Sequence, residues 1–443
     1  MNRPGRFVAG IFACWLLTLS SASAQQDAKP GGGVLTLKEA VQLTLSRAPE
    51  IAISDAQIAR SGEVLREVRA AYRPQVSTGS GLAYNNGFPL SIEGAAPSAV
   101  QVGVTQSIFS KRNKNLIMEA EEGVRANKIG SGSTRNELAV RTALVYFELH
   151  NARKLETLWS QHADAARKDQ QAAEAMLEAG RVRPLDVTLA RTATANAEQH
   201  LLVAREQAGL AETELRGLTG RQDGTPLQTV EPQLDPAALG MPADALYQNA
   251  VENHPEILQS ESNLRAKEFR LEAEKGSKYP RLDLVSQYAL FTKFNNYQDY
   301  FNKFTRNNYV IGMSIQVPIF DGSQSSARIA QGRQDIAEAR LRLERAKTNL
   351  KMGIERCLSA LRIAKGAAEL ARRELEAARE GALVSQTLLE AGRISPREML
   401  APQNLVSEKE LALLEAEKSL FEREVELLQI TGTAAAAIGC LHP

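Results

Sequence analysis

The spacing of hydrophobic residues changes between a helical and a strand period along this chain. From residue 35 to residue 71 apolar side chains recur at helical spacing, with one break at Pro49. They then alternate with small or polar residues from 74 to 84 and again from 98 to 109. Alternation is typical of strands, and the loop 87–97 between them is rich in glycine and proline. The pattern therefore predicts a helix followed by a strand hairpin.

A long helical hairpin follows these strands. The helical pattern continues from residue 111 to residue 179, a span of about 100 Å at 1.5 Å per residue. The segment Gly130-Ser131-Gly132-Ser133 predicts an interruption or a bend, because glycine lowers helix stability. A return helix is predicted from 184 to 218, which closes the hairpin 111–218.

The second half of the chain repeats this order of elements. A helix is predicted from 243 to 278, and strands are predicted at 281–294 and 308–320. A second helical hairpin follows, with helices at 323–391 and 396–431. The two halves are therefore expected to have the same architecture.

Short motifs recur between the halves and indicate a tandem duplication. The sequence LEAGR at residues 177–181 returns 212 positions later at residues 389–393. Flanking motifs recur in the same order at offsets of 206 to 212: Ala48-Pro49-Glu50-Ile51 with His254-Pro255-Glu256-Ile257, Gln106-Ser107-Ile108-Phe109 with Val317-Pro318-Ile319-Phe320, and Leu218-Thr219-Gly220 with Ile430-Thr431-Gly432. A period of about 200 residues is far longer than a solenoid repeat, so it indicates two copies of a whole module.

Both LEAGR motifs are interpreted as the tips of helical hairpins. Gly180 and Gly392 end long helical patterns, and Pro184 and Pro396 follow within four residues. Glycine is common just past a helix C-terminus, and proline is common in the first turn of the next helix.

The duplication gives a division of the chain into segments. We expect a first repeat at 25–220 with strands at 74–109, a linker at 221–242, and a second repeat at 243–432 with strands at 281–320 and a hairpin at 323–431. The linker carries four prolines, and residues 433–443 are expected to be a tail.

The N-terminus resembles a secretory signal peptide. Arg3 and Arg6 precede an apolar run from Phe7 to Leu19, and Ala22-Ser23-Ala24 fits a cleavage site. We therefore expect residues 1–24 to be removed and the mature chain to begin near Gln25. A retained anchor is the alternative, although the run is short for a membrane span.

A heptad pattern predicts how the second hairpin packs. Small and apolar residues recur every seven positions on the long helix and on its return: Leu350, Cys357, Ala364, Ala371 and Ala378; Ile354, Leu361, Ala368, Leu375, Ala382 and Leu389; Met399, Val406, Leu413, Leu420 and Leu427. Such a seam is typical of a coiled coil. Cys357 lies on it and is expected to be a buried structural thiol.

The last strand favours a membrane environment. Ile311, Met313 and Ile315 point to one face, whereas Gly312 and Ser314 point to the other. A strand in a transmembrane barrel needs one lipid-facing and one water-facing side, although a soluble sandwich strand shows the same alternation. Four strands cannot enclose a channel, and open edges in lipid leave backbone groups unpaired. If the strands lie in a membrane, several chains must share one barrel, and three chains give twelve strands.

Composition and charge exclude several function classes. After removal of the first 24 residues, 51 basic side chains face 52 acidic ones, which argues against nucleic acid as a partner. The chain has three cysteines and five scattered histidines without metal-ligand spacing. No phosphate-binding loop or nucleophile motif is present, so we expect no cofactor, no metal site and no enzymatic activity.

Taken together, the signal peptide, the duplicated units, the four strands and the glycine-centred hairpin tips resemble the TolC-type outer-membrane efflux and secretion channels. The resemblance covers residues 35 to 432 and depends on the order of elements. It implies a mostly α fold with a transmembrane β-barrel: a homotrimer with a 12-stranded barrel in outer-membrane lipid and an α-helical barrel in the periplasm. It also implies a passive exit duct, in a tripartite efflux pump or a type I secretion system, that works with a periplasmic adaptor (membrane fusion protein) and an inner-membrane transporter.

The resemblance also implies roles for the tip residues. In this family the tips meet the adaptor and close the channel, which points to Gly180, Arg181, Gly392 and Arg393 for adaptor contact. Acidic residues commonly follow the tip glycine, and Glu398 and Asp186 match that position. The second acidic position of the family is Ala401 here, followed by Pro402, so a double acidic ring is not expected.

Each of these roles has a simpler alternative. Three copies of Glu398 near the trimer axis would form a cation-favouring constriction. Alternatively, Glu398 is a solvated residue that the helix dipole favours in a first turn. The tip glycines and arginines could equally serve helix capping alone.

Two other function classes are alternatives to the channel. A secreted periplasmic coiled-coil scaffold or adaptor would be soluble and would not need strands of membrane-spanning length. A periplasmic enzyme would need convergent polar residues, which the sequence does not show.

Overall fold

The computed structural model describes residues 35–81, 98–221, 225–232, 234, 242–291, 305, 307–394 and 396–439. The predicted signal peptide 1–24 and the loop 87–97 lie outside the described residues, as do parts of the linker 221–242.

The described chain is mostly helical, with one small sheet. Its helices are α1 (Leu37–Arg47), α2 (Pro49–Arg69), α3 (Lys111–Glu178), α4 (Pro184–Thr219), α5 (Ala243–Asn253), α6 (Pro255–Gly276), α7 (Gln324–Glu390), α8 (Pro396–Ile430) and α9 (Ala434–Gly439), and its strands are β1 (Gln75–Gly81), β2 (Ser98–Phe109), β3 (Arg281–Phe291) and β4 (Asn307–Gln316). A short 3₁₀ turn, Ala70–Tyr72, connects α2 to β1. The order of helices and strands predicted from the hydrophobic periods is confirmed.

The four strands form one antiparallel sheet in sequence order, β1-β2-β3-β4. The β2–β3 pair joins the two halves of the chain, with Gly103 opposite Gln287. β4 ends at Gln316, earlier than the predicted residue 320. Pro318 explains the difference, because proline has no N–H group to donate to a strand ladder.

The helices that precede the strands begin at residues that favour a helix start. Thr36 accepts a hydrogen bond from the Glu39 backbone N–H, and the Glu39 side chain accepts one from the Thr36 backbone. Pro49 and Pro255 are the first residues of α2 and α6. The residues before them, Ala48 and His254, are extended, as steric contact with a following proline requires.

The first long helix continues through the glycine-serine segment, which corrects the predicted interruption. α3 is a single helix of 68 residues from Lys111 to Glu178. Gly130 faces α6, where a Cβ atom would lie 3.1 Å from Gln259 Nε2, and Ser131 is buried. The small residues therefore permit two helices to pack closely, and tertiary contact offsets their low helix propensity.

The largest core lies where α1, α3, α4, α8 and α9 meet. Its centre is Tyr146, which is fully buried and donates a hydrogen bond to the backbone oxygen of Leu35 or Val230. The C-terminal residues belong to this core: Ala434 and Ile438 are buried, and Asn136 Oδ1 accepts from the Ala435 N–H at 3.0 Å. The prediction of a tail from residue 433 therefore misses a docked helix.

The heptad seam of the second hairpin is confirmed in α7. Its buried side chains include Leu350, Ile354, Cys357, Ala364, Ala368, Ala371, Leu375 and Ala378. Burial, with the Glu426 carboxylate nearby, raises the pKa of the Cys357 thiol to about 11. Since the thiolate is the reactive form, Cys357 is an inert packing residue.

Candidate functional site: hairpin tips and open sheet

Both hairpin tips are closed by the same backbone motif. Gly180 and Gly392 adopt left-handed conformations with φ of 69° and 66°. Gly180 N–H donates to Leu177 O at 2.9 Å and Arg181 N–H to Met176 O at 2.8 Å, and the second tip repeats both bonds at the same lengths. This Schellman arrangement satisfies the last carbonyls of each long helix and explains why glycine stands there twice.

Asp186 lies in the first turn of α4 and caps that helix. Its Oδ2 atom accepts the backbone N–H of Arg183 at 3.1 Å and lies 3.4 Å from Arg183 Nε. The Asp186 side chain is only 22% exposed, whereas the Arg183 side chain is 72% exposed. Asp186 therefore carries a paired charge and a structural role at the first tip.

Glu398 occupies the equivalent turn of α8 and is exposed, while its neighbour Met399 is buried. The four tip residues Gly180, Arg181, Gly392 and Arg393 are exposed. Pro402 lies inside α8, and the helix continues past it to Ile430.

Each hairpin is flanked by ion pairs between its two helices. In the first hairpin, Arg191 Nη2 lies 2.9 Å from Glu174 and Arg167 Nη2 lies 2.8 Å from Glu198. The hydrogen bond from Arg191 lowers the pKa of Glu174. These groups are exposed, so each pair contributes little stability.

The second hairpin has matching pairs, with Arg379 2.7 Å from Glu410 and Lys409 2.9 Å from Glu374. Sequence reasoning did not identify these pairs in either hairpin, because their partners lie 17 to 35 positions apart and meet only across a turn.

A polar contact connects the first hairpin to the second, next to a cluster of aromatic rings within the first hairpin. Trp159 of α3 stacks on His200 of α4, with ring centroids 4.3 Å apart, and lies 5.4 Å from the His162 ring. His162 Nδ1 lies 3.5 Å from Ser407 Oγ of α8. Burial lowers the pKa of His162, so the neutral ring is favoured at this contact.

The sheet presents two open edges and an exposed apolar strand. All residues of β1 and β4 are exposed, and neither strand has a second strand partner among the described residues. Ile311, Met313 and Ile315 are 70 to 72% exposed on one face, whereas Gly312 and Ser314 alternate with them on the other. An exposed apolar strand with unpaired N–H and C=O groups is a surface that requires a partner.

The part of the chain that the structure describes contains neither a metal cluster nor a membrane-spanning helix. No group of three or more His, Cys, Asp or Glu residues there is placed to hold a metal ion. None of the described helices combines the length and the apolarity needed to cross a bilayer.

Comparison with known proteins gives consistent matches along the chain. A family model described as outer membrane efflux protein matches residues 40–221 and 246–433. The outer membrane efflux protein BepC of Brucella suis is 23% identical over 432 residues, which cover 94% of this chain and 88% of BepC. The outer membrane protein TolC of Escherichia coli is 23% identical over 315 residues, covering 67% of this chain and 62% of TolC. The solved Campylobacter jejuni CmeC outer membrane channel has a similar fold, with a TM-score of 0.74 at 14% identity, over 90% of this chain and 86% of that chain.

Proposed function

The chain belongs to the outer membrane efflux protein family, as the resemblance to TolC-type channels predicted, and on this basis we propose that it is a passive channel of the outer membrane. Its relatives are named as efflux and channel proteins rather than enzymes. The channel provides an exit path for substrates, and the energy for transport comes from a partner.

The observation that carries this proposal is the open sheet. β1 and β4 expose their hydrogen-bonding edges, and β4 exposes an apolar face around Met313. Such edges are stable in lipid only when other strands pair with them. Three copies, with β4 of each chain paired to β1 of the next, would form a closed barrel of twelve strands with the apolar face toward lipid.

The proposed partners are inferred from the exposed hairpin tips. We assign the hairpin tips around Gly180, Arg181, Gly392 and Arg393 to contact with a periplasmic adaptor, because these residues are exposed at the ends of long helices. The adaptor would connect the channel to an inner-membrane transporter, and the helical part of the trimer would extend into the periplasm. The two matched stretches support the proposed division into repeats 25–220 and 243–432.

The constriction is proposed to lie at the tips, with Glu398 as its main charged group and Asp186 as a second one. Glu398 is exposed in the first turn of α8, and Asp186 is 22% exposed in the first turn of α4 beside Arg183. Three Glu398 carboxylates near a common axis would favour cations over anions.

The mass of the mature protein in mild detergent tests the channel against the secreted scaffold. Extraction from outer membranes as a detergent-bound trimer is the expected result. A soluble, lipid-independent monomer would support the scaffold or adaptor instead, because its strands would then have no need of a bilayer.

A further inference from the structure

The helix-facing ends of all four strands lie along one edge of the sheet. The register places Gln75 opposite Thr105, Phe109 opposite Leu282, and Arg281 opposite Gln316. The start of β1, the end of β2, the start of β3 and the end of β4 are therefore neighbours, and each is followed or preceded by a helix within about eight residues.

This edge is basic, although the whole chain is nearly neutral. The four junction segments 69–75, 109–115, 274–283 and 316–328 contain nine Lys or Arg residues and three Asp or Glu residues. All three carboxylates already have partners. Glu274 is buried 3.4 Å from Arg270 and within 4.0 Å of Arg112 and Arg328, Asp283 lies 2.7 Å from Arg281, and Asp321 accepts hydrogen bonds from Ser325.

Four cations of this edge have no carboxylate within ion-pair distance among the described residues. Arg73, Lys114 and Lys278 are exposed, and Lys111 is half-buried with its Nζ atom 4.0 Å from the centre of the Tyr279 ring. Lys278 Nζ has a hydroxyl neighbour, Ser326 Oγ at 3.4 Å. We name these four residues the basic edge.

The junctions that carry the basic edge also carry exposed apolar side chains. Phe109 is 55% exposed, and Ile319 and Phe320 are 96% and 86% exposed. Tyr279, in the junction before β3, is also exposed, and tyrosine is enriched where a membrane surface meets water. Exposed apolar groups beside cations without ion pairs are suited to the boundary between acyl chains and headgroups.

We infer that the basic edge binds the phosphate groups of anionic phospholipids in the periplasm-facing leaflet of the outer membrane. The inference rests on the proposed channel, because only a membrane-inserted sheet places this edge at a leaflet surface. Each Lys or Arg near an anionic leaflet attracts it, and the attraction falls off within a Debye length. In the trimer the edge would form a ring of lipid contacts below the barrel.

Native mass spectrometry of the detergent-extracted full-length protein tests this inference with phosphatidylglycerol as the probe and phosphatidylcholine as the neutral reference. The wild type should retain phosphatidylglycerol preferentially. Substitution of all four residues (Arg73→Gln, Lys111→Gln, Lys114→Gln and Lys278→Gln) should reduce that preference by at least about tenfold. A matched variant neutralises four exposed cations of α7 far from the sheet, Arg345, Lys351, Arg356 and Arg362, and should behave as the wild type.

The outcomes separate this inference from the function it rests on. An assembled outer-membrane oligomer with equal binding of both lipids would overturn the lipid site and leave the channel intact. A protein that never reaches the membrane would overturn both. If the quadruple variant fails to assemble, the salt dependence of lipid binding by the wild type provides the test. Phosphatidylglycerol binding should weaken as the salt concentration is raised, and salt-independent binding would contradict a phosphate contact.

Discussion

At the residue scale, Glu398 is the side chain with the clearest functional hypothesis. It is exposed in the first turn of α8, beside a tip glycine and at the end of a long hairpin. An acidic residue in a first helical turn is also stabilised by the helix dipole, so its position alone does not distinguish a role in selectivity from a role in folding.

Replacing Glu398 by alanine should reduce the cation selectivity of the reconstituted channel, because it removes the proposed acidic constriction. The reversal potential of single channels in a salt gradient measures this. Glu415→Ala is the control, since Glu415 is exposed on the same helix 17 residues away and should leave selectivity unchanged. Unchanged selectivity for both variants would favour the role in helix stability.

His150 should make the protein sensitive to mild acid. Its Nδ1 atom lies 3.2 Å from Thr229 Oγ1, its Nε2 atom is buried without a partner, and Lys154 and Glu231 lie nearby. Burial lowers the pKa of His150 below its usual 6.5. The unfolded chain therefore takes up the proton first, and stability is lost as pH falls through the unfolded value toward the lower folded one.

The variant His150→Gln should lose less stability than the wild type between about pH 7 and pH 5.5. Thermal unfolding midpoints of the assembled protein measure this dependence. Above about pH 7.5, where the wild-type ring is neutral in both states, the difference between the two proteins should no longer change with pH. An equal loss in acid for both proteins would show that His150 does not contribute.

Residue roles are predictable where one local rule decides them. Gly180 and Gly392 are recognisable as helix ends because few residues other than glycine adopt a positive φ readily. Cys357 is predicted to be buried because it lies on a heptad seam, and the structure confirms this. The contact between His162 and Ser407 is not predictable, because the residues lie 245 positions apart and meet only when two hairpins pack.

At the element scale, the long helices and the strands follow from their hydrophobic periods. α7 is predicted at 323–391 and spans Gln324–Glu390. The agreement is close because a heptad pattern repeated over many turns is typical of a long helix and not of other secondary structure. The predictions fail where tertiary packing outweighs the local preference of the sequence. Ser131 is buried within an unbroken α3, and the short α9 forms because Ala434 and Ile438 fit a core built from distant elements.

The contact of α6 with the start of α3 depends on Gly276. A Cβ atom there would lie 2.8 Å from Arg112 N and 2.9 Å from Lys111 C, both of which are backbone atoms that cannot rotate away. Gly276→Ala should therefore destabilise the protein by about 1–3 kcal/mol, the usual cost of overpacking.

A lower thermal midpoint for Gly276→Ala would bear this out. Gly62→Ala is the matched control, because a Cβ atom added at Gly62 in α2 would have no neighbour within 4 Å and should slightly increase helix stability. Equal thermal midpoints for the two variants would mean that α3 can move away from the added Cβ atom without loss of stability.

At the scale of the whole molecule, the two faces of β4 define the proposed orientation of the barrel. Met313→Arg places a charge on the face assigned to lipid, which costs about 2–4 kcal/mol at the bilayer midplane. The amount of trimer recovered from outer membranes should fall. Ser314→Arg, one residue away on the opposite face, should assemble at nearly wild-type levels.

A reversed result, with Ser314→Arg the more harmful change, would mean that the apolar face of β4 points inward. The alternation itself is visible in the sequence, but which side meets lipid depends on neighbouring chains that one sequence does not specify.

The position of β1 and β4 at the two edges of the sheet has a consequence for biogenesis. The β2–β3 ladder forms within a single polypeptide, whereas the proposed β4–β1 ladder forms only when two copies collide. Closing the barrel should thus be a concentration-dependent step that follows the folding of the local helical hairpins. Until the barrel closes, each monomer would expose two strand edges with unpaired N–H and C=O groups. The protein should therefore be most prone to aggregation between export and assembly.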